Sequence, residues 1–164
     1  MNNLNVEEIK NSHRFISNGT LTKEKVEKAI EEAIRKIDFN MSRLGERFPS
    51  PNTINHSYLT IENIEWTTGF WTGILWLAYE YTQDEKYKNL ADKHIESFLE
   101  RIENNIEVDH HDLGFLYTPS CVAGYKLTGN EKAKKAAILA ADKLMTRYQE
   151  KDGFIQAWGE LGAK

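Results

Sequence analysis

Trp66-Thr-Thr-Gly-Phe-Trp-Thr-Gly-Ile-Leu-Trp-Leu-Ala-Tyr-Glu-Tyr81, wound as a helix that Thr67 or Thr68 can cap, is apolar around almost its whole circumference. A helix of that kind expects cover on every side. Asp84 then caps a helix of different character. Tyr87, Ala91, Ile95, Phe98 and Ile102 fall on one stripe, and Lys86, Lys88, Asp92, Lys93 and Glu96 make a wet face.

The pair recurs. Thr118 and Pro119 read as an N-cap and first-turn pair, and Cys121 to Leu127 is again apolar on most sides. Asn130 caps a second amphipathic helix, with Ala133, Ala137, Ala141, Leu144 and Tyr148 on one face and an end at Lys151-Asp-Gly153. At an offset of 46 residues, Tyr79 meets Tyr125, Thr82 meets Thr128, Glu85 meets Glu131, Lys86 meets Lys132, Lys88 meets Lys134 and Ala91 meets Ala137. Trp66, Asp112 and Trp158 are also 46 apart, each at the end of a loop leading toward a buried helix. Equal spacing in a repeat returns the chain to the same layer, so these three residues are expected at one end of the helix stack. The pattern predicts an all-α fold in two concentric layers, an (α/α) barrel. A HEAT-like solenoid is the rival at this period, but its helices seldom include an all-round apolar partner so rich in aromatics.

Upstream, Thr22 is a natural N-cap with Glu24 in the first turn, Val26, Ile30, Ala33, Ile37, Met41 and Leu44 form a stripe, and Gly45 ends it. Residues 1–21 read as a polar arm. Residues 45–65 read as a long loop, briefly extended over Tyr58 to Ile61, and a loop of this size is often functional. Helices are predicted near 22–44, 69–82, 84–104, 118–128 and 130–150, in one domain spanning 1–164. Those starting near 69 and 118 are expected to be the most buried.

With 40% apolar and 28% charged residues the chain reads as soluble and globular. A net charge of −4 gives no support to nucleic-acid or anionic-membrane binding. The single Cys121 excludes an internal disulfide and fits a reducing compartment. The first residues lack the pattern of a signal peptide and no apolar run approaches membrane-spanning length, so a cytoplasmic location is expected.

The densest chemistry lies in Glu107-Val-Asp-His-His-Asp-Leu-Gly-Phe-Leu-Tyr117, where acids flank two histidines just before a buried helix. Asp112 can be a helix cap or a site carboxylate. His110 and His111 invite a metal, but adjacent side chains project apart and no spaced third ligand follows, so no metal and no cofactor is assigned. Trp66 and Trp158 sit in loops, where an aromatic face can stack on a sugar ring. Trp71, Trp76, Tyr79 and Tyr81 lie in the helix and read as core.

At Trp66-Thr-Thr-Gly-Phe70, Asp109-His-His-Asp-Leu-Gly-Phe-Leu-Tyr117, Lys126-Leu-Thr-Gly129 and Ala157-Trp-Gly159 the sequence resembles the unsaturated glucuronyl hydrolases, glycoside hydrolase family 88, of bacteria that degrade glycosaminoglycans. The resemblance implies an (α/α)6 barrel with its active site at one mouth. The substrate it implies is an oligosaccharide carrying a 4,5-unsaturated uronic acid at the non-reducing end. In that family an Asp protonates C4 of the vinyl ether, and water activated by the same carboxylate adds at C5. The hemiketal then opens and expels the neighbouring sugar. By the matching motif, Asp112 corresponds to the second essential aspartate, which binds sugar hydroxyls and tunes the site. Trp66, Phe70, His111 and Trp158 correspond to substrate-lining positions. The family's acid/base Asp lies beyond the Trp that Trp158 resembles. Six repeats need roughly 280 residues, so the 164 here read as about half of the barrel, its N-terminal part.

Two function classes follow: a glycan hydrolase of this type, incomplete in this chain, or a non-catalytic helical-repeat module binding a glycan or a protein. Self-association, or a complementing C-terminal part, is expected of an incomplete barrel.

Overall fold

In this computed structural model, residues 10–14 and 21–161 are described. The chain divides into two units, Met1–Lys36 and Ile37–Lys164. The first holds a short 3-10 turn, Ser12–Arg14, and the start of helix α1, Lys23–Leu44. Thr22 caps α1 as its sequence predicts, accepting from the Lys25 N–H at 3.3 Å. Most of the expected 1–21 arm lies outside the described residues.

In the second unit α1 buries Ile37 and Leu44 and ends at Gly45, whose φ of +60° is glycine territory. The expected long loop is instead a β-hairpin, β1 (Phe48–Ile54) paired antiparallel with β2 (Ser57–Ile61). Its two-residue turn is Asn55-His56, both at positive φ, as a turn matching strand twist requires. Pro49 and Pro51 hide the strand from a sequence reading, because proline cannot donate to a ladder. The register shifts between Pro49 and Thr53, and Ser50 Oγ takes over there, accepting from the Leu59 N–H and donating to the Asn52 carbonyl. Phe48 anchors the hairpin, its ring tilted against that of His94 with centroids 4.3 Å apart and edge-on to Phe98.

Helix α2 (Thr68–Thr82) is followed by α3 (Glu85–Glu103), whose stripe of Tyr87, Ala91, Ile95, Phe98 and Ile102 is buried as expected. Asp84 caps α3 through the Lys86 N–H. Helix α2 buries Trp71, Thr72, Leu75, Trp76 and Ala78, but it is not covered on every side. Phe70, Ile74, Leu77 and Tyr81 form an exposed stripe, with Leu77 65% accessible, because no element among the described residues lies over it. Tyr81 is therefore not core, and the buried share of α2 is close to that of α3 rather than far above it.

The helix expected to open at Thr118-Pro119 starts earlier. It runs as α4 (Leu113–Tyr117), a π-helical turn (Thr118–Val122) and α5 (Ala123–Thr128). Pro119 sits inside it. Without an N–H, and with a ring that would strike the carbonyl four residues back, proline needs the wider π turn. Ser120 Oγ donates to the Leu116 carbonyl, and Trp76 Nε1 donates to Ser120 O at 2.8 Å. Helix α2 lies against this segment through its smallest residues. A Cβ on Gly69 would sit 2.3 Å from the carbonyl oxygens of Phe115 and Leu116, and one on Gly73 would meet Pro119.

Helix α6 (Glu131–Met145), capped by Asn130, ends five residues before the expected limit. Its buried face is Ala133, Ala136 and Ala140, while Ala141 and Tyr148 are exposed. The last turn tightens to three-residue bonds, from Thr146 to Lys143 and from Arg147 to Leu144. β3 (Tyr148–Gln149) then pairs with β4 (Phe154–Ile155) across a turn with Gly153 at φ +71°. No helix among the described residues is long and apolar enough to cross a membrane.

Candidate active site

The loop from Glu107 to Asp112 is folded by His110. Its Nδ1 accepts from the Asp112 N–H at 3.1 Å, so its Nε2 carries the proton and donates to the Glu107 carbonyl at 3.0 Å. These two contacts spend His110 on loop geometry. His111 Nε2 lies 3.3 Å from Asp112 Oδ1. Its Nδ1 is buried without a hydrogen-bond partner among the described residues.

Asp112 occupies the N-cap position of α4, with its carbonyl accepting from the Phe115 and Leu116 N–H groups, yet its carboxylate makes no capping bond. The carboxylate stands between the two imidazoles, 3.7 Å from His110 Nδ1, with its side chain 15% accessible. A mostly buried carboxylate that caps no helix can accept from a ligand's hydroxyls or stabilise nearby positive charge.

Aromatic side chains stand on both sides. The Trp158 ring meets His111 edge to face, with centroids 4.5 Å apart, and the His111 N–H donates to the Ala157 carbonyl at 3.2 Å. Trp66, Phe70 and Phe115 form a cluster with centroids 5.6–6.4 Å apart, each about half exposed. Phe115 lies three residues after Asp112, so this cluster and the Asp112 turn share one loop-to-helix junction. The structure thus brings His111, Asp112 and Trp158 into one group and Trp66 and Phe70 into a neighbouring one. Phe115 escaped the sequence reading because it reads as part of an apolar run; its position one helical turn past Asp112 was the available signal.

Among the described residues no group of three His, Cys, Asp or Glu side chains is disposed to hold a metal ion. Cys121 is fully buried, and burial pushes its thiol up to about 12, which makes it a packing residue rather than a nucleophile.

Residues 40–161 match the model of Glycosyl Hydrolase Family 88. An unsaturated chondroitin disaccharide hydrolase of Streptococcus agalactiae is 60% identical over 97% of this chain and 40% of its own length. The crystal structure of unsaturated glucuronyl hydrolase from Streptococcus agalactiae superposes with a TM-score of 0.93, again over 97% of this chain and 40% of that one. A mutant of that enzyme complexed with dGlcA-GalNAc6S gives a TM-score of 0.84 at 57% identity, over 87% of this chain and 38% of that one. The fold of these structures is an α/α barrel, and the chain spans about 40% of the length of the relatives it matches.

Proposed function

The chain belongs to glycosyl hydrolase family 88, and from that premise we propose that its protein is an unsaturated glucuronyl hydrolase acting on glycosaminoglycan-derived disaccharides. The reaction is hydration of the 4,5-double bond of the terminal unsaturated uronic acid. A proton is added at C4, positive charge develops at C5 and the ring oxygen, and water adds at C5. The resulting hemiketal opens and releases the neighbouring sugar.

The observation that carries this reading is the Asp112 carboxylate, placed at a helix start without capping it and set between His110 and His111. In this role Asp112 accepts hydrogen bonds from sugar hydroxyls, and its negative charge favours the positive charge that develops on the ring. Trp66, Phe70 and Phe115 offer half-exposed faces to the sugar's C–H surface, and Trp158 closes the side next to His111. The proton donor at C4 is a separate carboxyl group in the family resemblance, and no residue up to Lys164 matches its motif. The bare stripe on α2 supports self-association, or docking of a complementing C-terminal part, as a further property of the same chain.

The test is calorimetric titration of the chain with an unsaturated chondroitin disaccharide, alongside loss of the ultraviolet absorbance of its conjugated C4=C5 carboxylate. Saturable binding without enzymatic turnover is expected. Absence of binding would defeat the carbohydrate reading. Rapid turnover would assign the proton donor to a residue of this chain.

A further inference from the structure

Two arginines, Arg101 near the end of α3 and Arg147 just after α6, are only 2% and 1% accessible. They are 46 residues apart, in the same register that relates Trp66 to Asp112. Their hydrogen bonds repeat nitrogen by nitrogen. Arg101 Nη1 donates to Asn63 Oδ1 at 3.0 Å, and Arg147 Nη1 donates to Asp109 Oδ1 at 2.9 Å; Asn63 and Asp109 are themselves 46 apart. Nε of each reaches a carbonyl of the following loop, Ile106 at 3.1 Å and Gln156 at 2.8 Å. Nη2 of each reaches a second carbonyl there, Glu107 at 2.7 Å and Gly159 at 3.1 Å.

Each guanidinium therefore bolts one site loop to the next. Arg101 joins the stretch before Trp66 to the start of the Asp112 loop, with further bonds to the Ile64 and Glu65 carbonyls. Arg147 joins Asp109 to the residues on either side of Trp158. Past Arg147 the register slips, because the β3–β4 hairpin puts the acceptors 9 and 12 residues on, against 5 and 6 after Arg101. The spacing of 46 between Asp112 and Trp158 is thus not structural equivalence, and Trp158 is set in place by Arg147.

Burying a guanidinium against mostly neutral acceptors costs desolvation that an apolar side chain would avoid, so stability alone does not account for it. What the planar five-donor fork provides is fixed geometry among several acceptors at once, which lysine's single ammonium cannot reproduce. We propose that Arg147 is a positioning residue for the carbohydrate site, holding the Trp158 loop against His111 and Asp112 as Arg101 holds the Trp66 loop one repeat earlier. Its functional meaning rests on the carbohydrate reading above; its geometry does not.

The test uses the whole chain and reads the His111 imidazole protons by NMR, which the Trp158 ring current displaces. Trp158→Ala sets the undisplaced value. Arg147→Lys, still helical by circular dichroism, is expected to move the His111 signal most of the way to that value. Asp109→Ala removes an exposed side chain and is expected to move it partly. Asp109→Asn restores the acceptor that Asn63 supplies in the other repeat and is expected to return it. A folded Arg147→Lys with the wild-type signal overturns the proposal. If Arg147→Lys does not fold, an Asp109→Ala signal at the wild-type position overturns it instead.

Disaccharide affinity is measured on the same proteins. Loss of roughly tenfold in Asp109→Ala, recovered in Asp109→Asn, supports the positioning role. Binding left unchanged while the signal moves overturns that role. No binding even by the wild type, with the signal moving as expected, sinks the carbohydrate reading and leaves the clamp standing.

Discussion

Helices on the wet side of the stack, α3 and α6, begin differently from α2 and α4, which lead away from the candidate site. Asp84 and Asn130 hold extended backbone and their side chains accept from the first-turn N–H groups of α3 and α6. Thr67 and Asp112 occupy the same position before α2 and α4 with near-helical backbone and no side-chain cap. The outer pair also packs through alanines such as Ala91, Ala133 and Ala136 and is laced by Lys132–Glu96, Lys135–Glu103 and Asn130–Asp92. Helix α2 instead packs on the α4–α5 segment, backbone on backbone at Gly69 and with the Trp76 ring against Gly124. Outer helix starts are committed to stability. Inner starts leave polar groups uncommitted at the end where the aromatic rings gather.

The largest effect expected is at the inner contact. Gly69→Ala drives a Cβ into two backbone carbonyls that no rotamer change can move, and is expected to cost at least about 3 kcal/mol. Gly114, in α4 with open space where a Cβ would go, is the control: Gly114→Ala is expected to be neutral or to stabilise by up to about 1 kcal/mol. Urea unfolding of both variants checks this. Equal losses would mean that the close approach of α2 is not what makes Gly69 necessary.

Between the layers lies His94, on α3 but hydrogen-bonded through Nδ1 to Thr72 of α2 at 3.0 Å. Burial lowers its pKa from 6.5 to about 4, so the folded chain holds it neutral. The unfolded chain protonates it first as pH falls. Its contribution is therefore complete above about pH 6.5 and is lost progressively down to about pH 4, with a total of roughly 3 kcal/mol. Thermal melts from pH 7 to 5 are expected to fall more steeply for the wild type than for His94→Leu. Parallel curves would show that the charge on His94 is not what acid acts on.

The same contrast explains what could be read from sequence. Asp84, Asn130, Thr22 and Gly45 were legible because caps and stops act locally, through side chain and backbone within one turn. The α3 stripe was legible because one face of a solvent-facing helix must be apolar. Pro119 misled because its preference for a first turn is weaker than the packing of α2 that holds a π turn around it. The β1–β2 hairpin was masked by Pro49 and Pro51, although Asn55-His56 carried its turn. At the site, the 46-residue register pointed to Asp112, and it also ran through Asn63 and Asp109 and through Arg101 and Arg147, two arginines that look like ordinary solvent-facing residues until their burial is known. Phe115 belonged to an apolar run, and only its junction with Trp66 and Phe70 gives it a place.

The smallest effect on stability is expected where the site is. Asp84→Ala and Asn130→Ala each remove a cap and are expected to cost about 1 kcal/mol. Asp112→Asn changes a residue in the same helix position, but no capping bond is lost, and its unfolding free energy is expected to stay within about 0.5 kcal/mol of wild type. The isostere keeps the shape and an acceptor oxygen while removing the charge between His110 and His111. Affinity for the unsaturated disaccharide is accordingly expected to fall although the fold is intact. Denaturant melts and disaccharide titrations on the three variants decide the matter. An Asp112→Asn protein as destabilised as Asp84→Ala, with its disaccharide affinity unchanged, would make Asp112 a cap after all and remove the contrast between the two kinds of helix start.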